Sequence, residues 1–132
     1  MPDASWFAAA RYGLFIHWGA YSVAGRGEWI MNRELIPADE YRRLYAENFR
    51  AEKYDPAAWA ALAKRWGMQY AVLTTRHHDG FALWDSQVNP FNAARLGPGR
   101  DLVRPYVEAF RAAGLKVVLY YSPANWSHPD YP

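Results

Sequence analysis

Cysteine is absent from all 132 residues, which excludes a disulfide scaffold and any zinc or iron–sulfur centre held by thiolates. Long apolar runs are missing as well. No window approaches the roughly 18 apolar residues of a membrane span, so no membrane partner is expected. The start, Met1-Pro2-Asp3-Ala4-Ser5-Trp6, has neither a basic region nor a leucine-rich stretch. Without such a leader the reading leans to the cytoplasm and otherwise leaves the compartment open. Nor does one sign of charge dominate: 15 Lys+Arg against 13 Asp+Glu give a net charge of +2. These charges are mixed along the chain with no basic block, which argues against a nucleic-acid partner. Apolar residues are plentiful, with 52% hydrophobic and 17% aromatic, including 7 Trp, 10 Tyr and 6 Phe. That excludes a disordered segment and provides for one folded core.

Residues 11 to 19, Arg-Tyr-Gly-Leu-Phe-Ile-His-Trp-Gly, read as a strand buried on both faces. The stretch from Ala20 to Arg33 is too punctuated for a helix and reads as a long loop, the kind that carries function. Pro37-Ala38-Asp39-Glu40 opens a helical pattern through Tyr41, Leu44, Tyr45 and Phe49. Asp55 and Pro56 cap a second helix from Ala57 to Trp66, with Trp59, Leu62, Ala63 and Trp66 on one stripe and Gly67 as its stop. Met68 to Thr75 is the second strand. Trp84 to Gly99 is irregular; Asp101 then caps a helix carrying Leu102, Val103, Tyr106, Val107, Phe110 and Ala113, stopped by Gly114 before a third strand from Leu115 to Ser122. Strand, helices, strand, helix, strand is the order of parallel βαβ units, so the fold class is α/β.

In such sheets the chemistry lies beyond the carboxyl ends of the strands. Those ends hold His17-Trp18, His77-His78-Asp79 and Tyr120-Tyr121-Ser122, with Glu28-Trp29 in the loop after the first strand. Imidazoles, a carboxylate and phenols bond hydroxyls, and indole or phenol rings cover the C–H faces of a sugar. A polyhydroxylated ligand suits this set. Taken singly, His17 reads as readily as a buried histidine bonded to backbone as a ligand contact, Trp18, Trp29 and the two tyrosines read as packing rather than binding, and Glu28 as a solvated loop acid. The His77-His78-Asp79 run carries more weight, since adjacent histidines and an acid are costly to bury without a use. A metal site competes with it. Consecutive strand residues point to opposite faces, so His77 and His78 share an ion only if the pleat is broken. Neither an HxH pair on a strand nor an HExxH helix is present, so no metal and no cofactor are expected. Leu96-Gly97-Pro98-Gly99-Arg100 lacks the phosphate-loop pattern and reads as a loop before a capped helix.

Taken together, several motifs identify a family resemblance. Trp6-Phe7, then Arg11-Tyr12-Gly13-Leu14-Phe15-Ile16-His17-Trp18-Gly19, Tyr21-Ser22-Val23, Gly27-Glu28-Trp29, Thr74-Thr75-Arg76-His77-His78-Asp79-Gly80-Phe81, Gly99-Arg100-Asp101-Leu102-Val103 and Tyr120-Tyr121-Ser122 resemble the N-terminal part of the catalytic domain of the α-L-fucosidases of glycoside hydrolase family 29. The resemblance implies a (β/α)8 TIM-like barrel, retaining hydrolysis of terminal α-L-fucosyl linkages, and a fucosylated carbohydrate substrate. It implies that His17, Glu28, Trp29, His77, His78 and Tyr120 shape the fucose-binding subsite, with the strand twisting out of its pleat at Arg76-His77. Arg76 stands where lysine is common.

A complete barrel takes about 250 residues, so residues 1–132 are expected to form an N-terminal fragment of a catalytic barrel, with its first three parallel strands and their helices. Retaining glycosidases place two carboxyl groups about 5 to 5.5 Å apart. The resemblance puts both the nucleophile and the acid/base beyond Pro132, leaving no catalytic residue in this chain. Two alternatives stay open: a fucose-binding module or inactive fragment that does not cleave, and a different hydrolase using Glu28 and Asp79 as a local pair. Linkage preference and oligomeric state are not legible.

Overall fold

The computed structural model describes residues 3–131; Met1 and Pro2, with which the leader reading begins, and Pro132 lie outside the described residues. The elements are α1 (Ser5–Ala10), β1 (Gly13–Ile16), a 3-10 helix (Ala20–Val23), α2 (Ile30–Arg33), α3 (Ala38–Tyr41) running into a π-helical turn (Arg42–Ala46), α4 (Pro56–Arg65), β2 (Tyr70–Arg76), α5 (Val103–Ala112) and β3 (Lys116–Tyr121). The strands form one parallel sheet in the order β1-β2-β3, as the alternation of apolar runs and helical stripes requires.

Local chemistry fixes the helix ends. Asp55 accepts from the Ala58 amide at 2.9 Å and Pro56 takes the first helical position of α4, where its missing N–H costs nothing. Asp101 accepts from the Val103 and Arg104 amides at 2.7 and 2.9 Å at the start of α5. After the π turn, the Asn48 amide donates to the Arg43 and Leu44 carbonyls at 2.9 and 3.1 Å, serving acceptors that the helix end leaves free. Between sheet and helices lies one core, with Ala71, Leu73, Tyr106 and Phe110 fully buried.

Three expectations are corrected, and a fourth point adds an element. First, the initial strand is short and is not buried on both faces: β1 is an edge strand and Phe15 is 55% exposed, because the face of the sheet opposite the helices is open among the described residues. Second, the loop from Ala20 to Arg33 contains helical turns, the 3-10 helix and α2. Its glycines, Gly25 and Gly27, sit at positive φ between these turns rather than within them. Third, the α4 stripe is only partly covered. Ala60 and Ala63 are buried, while Leu62 and Trp66 line a cleft of about 450 Å³ beside Leu14 and Ile16 at the free edge of β1. Fourth, α1 was unanticipated. Its Trp6 and Phe7 pack against Tyr70, whose ring lies over Gly13, where a Cβ would strike it.

Candidate active site

The register pairs Ile16 with Leu73 and Thr74 with Tyr120, so His17, Thr74 and Tyr120 emerge side by side at the carboxyl end of the sheet. Thr74 stitches this end together. Its hydroxyl accepts from the Trp18 amide at 3.0 Å and lies 2.9 Å from the Trp18 carbonyl and 3.1 Å from the Tyr21 hydroxyl. Trp18 consequently turns to the helix side, stacked on Tyr54 with ring centroids 5.1 Å apart, and His17 takes the opposite side.

β2 ends at Arg76 after an irregular step in its ladder to β3 between Thr74 and Arg76, and the chain turns from His77, whose carbonyl accepts from the Gly80 amide at 3.1 Å. His77 and His78 therefore do not alternate: their rings lie together, with centroids 4.3 Å apart. His17 lies 4.9 Å from His77, Tyr120 lies nearly parallel to His77 at 6.2 Å, and Trp29 meets His78 edge-on at 5.3 Å. Glu28 is close enough for the charges of His17 and His77 to act on it, and its carboxyl is held below the usual range, first by a hydrogen bond from its own backbone and then by those imidazoles. All six residues singled out in the sequence thus meet on one face: His17, Glu28, Trp29, His77, His78 and Tyr120.

The face also gathers residues that sequence reasoning passed over. Tyr21 packs edge-on against His17 and His77 at 5.7 and 5.4 Å. Trp126, past the end of β3, lies 5.1 Å from both His78 and Trp29. Its amide donates to the His78 carbonyl at 2.7 Å, and Ser127 donates to the Asp79 carbonyl at 2.6 Å. The segment after β3 is therefore strapped across the turn after β2. An aromatic at the end of the third strand unit was the one signal that marked Trp126.

Burial governs the electrostatics. His77 is 4% exposed, its Nδ1 has no hydrogen-bond partner among the described residues, and burial with the charges of His78 and His17 lowers its pKa to about 4. It is neutral at physiological pH. Asp79 is 1% exposed, and burial pushes its carboxyl up to about 6 despite donors on both oxygens, Tyr41 Oη at 2.7 Å and the Phe81 amide at 3.1 Å. Buried and with both oxygens engaged, Asp79 does not offer its carboxyl to the face that holds Glu28. Its side chain ties the histidine turn to the end of α3 instead. Arg76 is buried too and spends its guanidinium on the carbonyls of Gly80, Ser122 and Ala124.

The family model described as Alpha-L-fucosidase matches residues 1–132. The chain belongs to the α-L-fucosidase family. Among its α-L-fucosidase relatives, the tissue alpha-L-fucosidase of Mus musculus is 37% identical over 98% of this chain and 32% of its own length. Alpha-L-fucosidase isoenzyme 1 from Paenibacillus thiaminolyticus superposes with a TM-score of 0.90 at 51% identity, covering 96% of this chain and 30% of that one. A GH29 alpha-L-fucosidase from Bacteroides thetaiotaomicron, solved as a trapped covalent intermediate with 2-fluoro-fucosyl fluoride, gives 0.89 at 36% identity, covering 96% and 31%. The chain thus spans about a third of the length of the α-L-fucosidases it matches.

Proposed function

We propose that this chain is the sugar-binding part of a retaining α-L-fucosidase, with its three strands the first of a (β/α)8 barrel. The observation that carries the reading is the meeting of His17, Glu28, Trp29, His77, His78 and Tyr120 at one end of a parallel sheet, in a chain that matches the family along its whole sequence. In this reading the imidazoles and the Glu28 carboxylate exchange hydrogen bonds with fucose hydroxyls, while Trp29 and Tyr120 cover its C–H faces. The unpartnered Nδ1 of His77 is the kind of buried polar atom that a bound hydroxyl or water satisfies.

Retaining hydrolysis needs a nucleophile and an acid/base about 5 to 5.5 Å apart. Asp79 is engaged with Tyr41 and Phe81, and Glu28 has no carboxylate partner in this reading. Both reacting carboxyls are assigned to parts of the enzyme outside residues 1–132, and the substrate to terminal α-L-fucosyl groups. The covalent intermediate trapped in the Bacteroides relative supports retention.

The test is hydrolysis of an aryl α-L-fucoside by the complete enzyme that contains this chain, followed by proton NMR. The expected first product is α-L-fucose, converting later to the anomeric mixture. First appearance of the β anomer would overturn retention, and no turnover would favour a binding module.

A further inference from the structure

Ser122 follows directly on β3 and is buried, at 1% exposure. Its amide donates to the Arg76 carbonyl at 3.0 Å, and its own carbonyl accepts from the Arg76 guanidinium. The backbone there is held from both sides, and the side chain is left one torsion. That torsion places Oγ 2.6 Å from His78 Nδ1 and 3.4 Å from the Ala124 carbonyl. The ring it meets is itself held. Trp29, Trp126 and His77 surround it, and the Trp126 amide fixes its carbonyl.

A hydroxyl and an imidazole can bond in either sense, and the sense decides which ring nitrogen carries the proton. The Ser122 hydroxyl has one close acceptor, His78 Nδ1 at 2.6 Å, and one long one, the Ala124 carbonyl at 3.4 Å. If Nδ1–H donated instead, the serine proton would be left only the long contact to Ala124.

We propose that Ser122 is a positioning residue that sets the tautomer of His78: its hydroxyl donates to Nδ1, and Nε2 carries the ring proton as a donor to a sugar hydroxyl. The sugar arm rests on the fucosidase reading above; the tautomer arm stands without it. His77 makes the contrast, since its Nδ1 meets no hydroxyl among the described residues and no such device sets its tautomer.

The experiment is nitrogen NMR of the complete enzyme labelled in histidine, with the His78 signals identified from His78→Gln. In the parent protein His78 is expected to be protonated on Nε2 alone. Ser122→Ala should mix the tautomers and raise KM for an aryl α-L-fucoside about tenfold with kcat nearly constant, the pattern of a lost ground-state bond. Ser122→Thr, which keeps the hydroxyl, should restore both. A parent enzyme protonated on Nδ1, or Ser122→Ala with an unchanged spectrum, overturns the proposal. A changed tautomer with unchanged KM overturns the link to the sugar. Should Ser122→Ala fail to fold, the parent spectrum still decides. A spectrum as expected in a protein that cleaves no fucoside supports the tautomer and overturns the fucosidase reading instead.

Discussion

At the scale of single residues, His77 and Asp79 respond to pH in opposite directions. Burial raises Asp79 from 3.8 to about 6, so its protonated form is the one the fold prefers. The stability it contributes is present in full below pH 3.8 and is lost as pH rises through about 6. His77 falls from 6.5 to about 4, so the fold prefers it neutral. Its contribution is complete above pH 6.5 and is lost as pH falls through about 4. Asp79→Asn should therefore gain on the parent as pH rises from about 4 to 6, and His77→Gln should gain as pH falls over the same span. Urea denaturation of the complete enzyme across that range checks both, and parallel curves for parent and variants would contradict them. Tyr41→Phe takes a donor from a buried carboxylate and should cost about 1.5 to 3 kcal/mol at neutral pH. No loss of stability on denaturant unfolding would show that Tyr41 does not hold the turn.

Among the elements, the strap between the segment after β3 and the turn after β2 depends on Gly80. It sits at φ +84, and a Cβ there would meet the Asn125 side-chain oxygen. Gly80→Ala should destabilise by at least about 1 kcal/mol and loosen the histidine turn. Adding Asn125→Ala should recover the steric part alone. Equal stability of Gly80→Ala and parent in a thermal melt would remove the strap from the account. The elements differ in how far their sequence announced them. The strands and the helices α4 and α5 were legible because their signals are local: apolar runs for the strands, Asp55-Pro56 and Asp101 at helix starts, Gly67 and Gly114 after helix ends. Periodicity reveals that a helix has an apolar face but not what covers it, so Leu62 and Trp66 were read as core and stand exposed. The convergence of His17, His77 and Tyr120 was legible from strand order. The Tyr41 to Asp79 bond and the approach of Trp126 to His78 join distant parts of the chain, and no local pattern encodes them.

Seen whole, the molecule presents a parallel sheet with a free edge on both β1 and β3 among the described residues. Beside β1 runs the cleft of Leu62 and Trp66. Beside β3 runs a cleft of about 620 Å³ lined by Val107, Leu119 and Tyr121. Unpaired strand edges flanked by apolar surface template further pairing. The 132-residue chain expressed by itself should accordingly self-associate. Sedimentation velocity checks this, and a monodisperse monomer with a cooperative thermal transition would contradict it. Among the described residues no helix is long and apolar enough to cross a membrane.

The central claim is that the three strand ends together hold fucose. Its most direct test is titration of the complete enzyme with L-fucose while the histidine side chains are followed by NMR. His17, His77 and His78 are predicted to shift together and saturably, and His128, paired with Asp130 on the exposed surface, to stay fixed. Signals from His17, His77 and His78 that ignore saturating fucose would contradict the account.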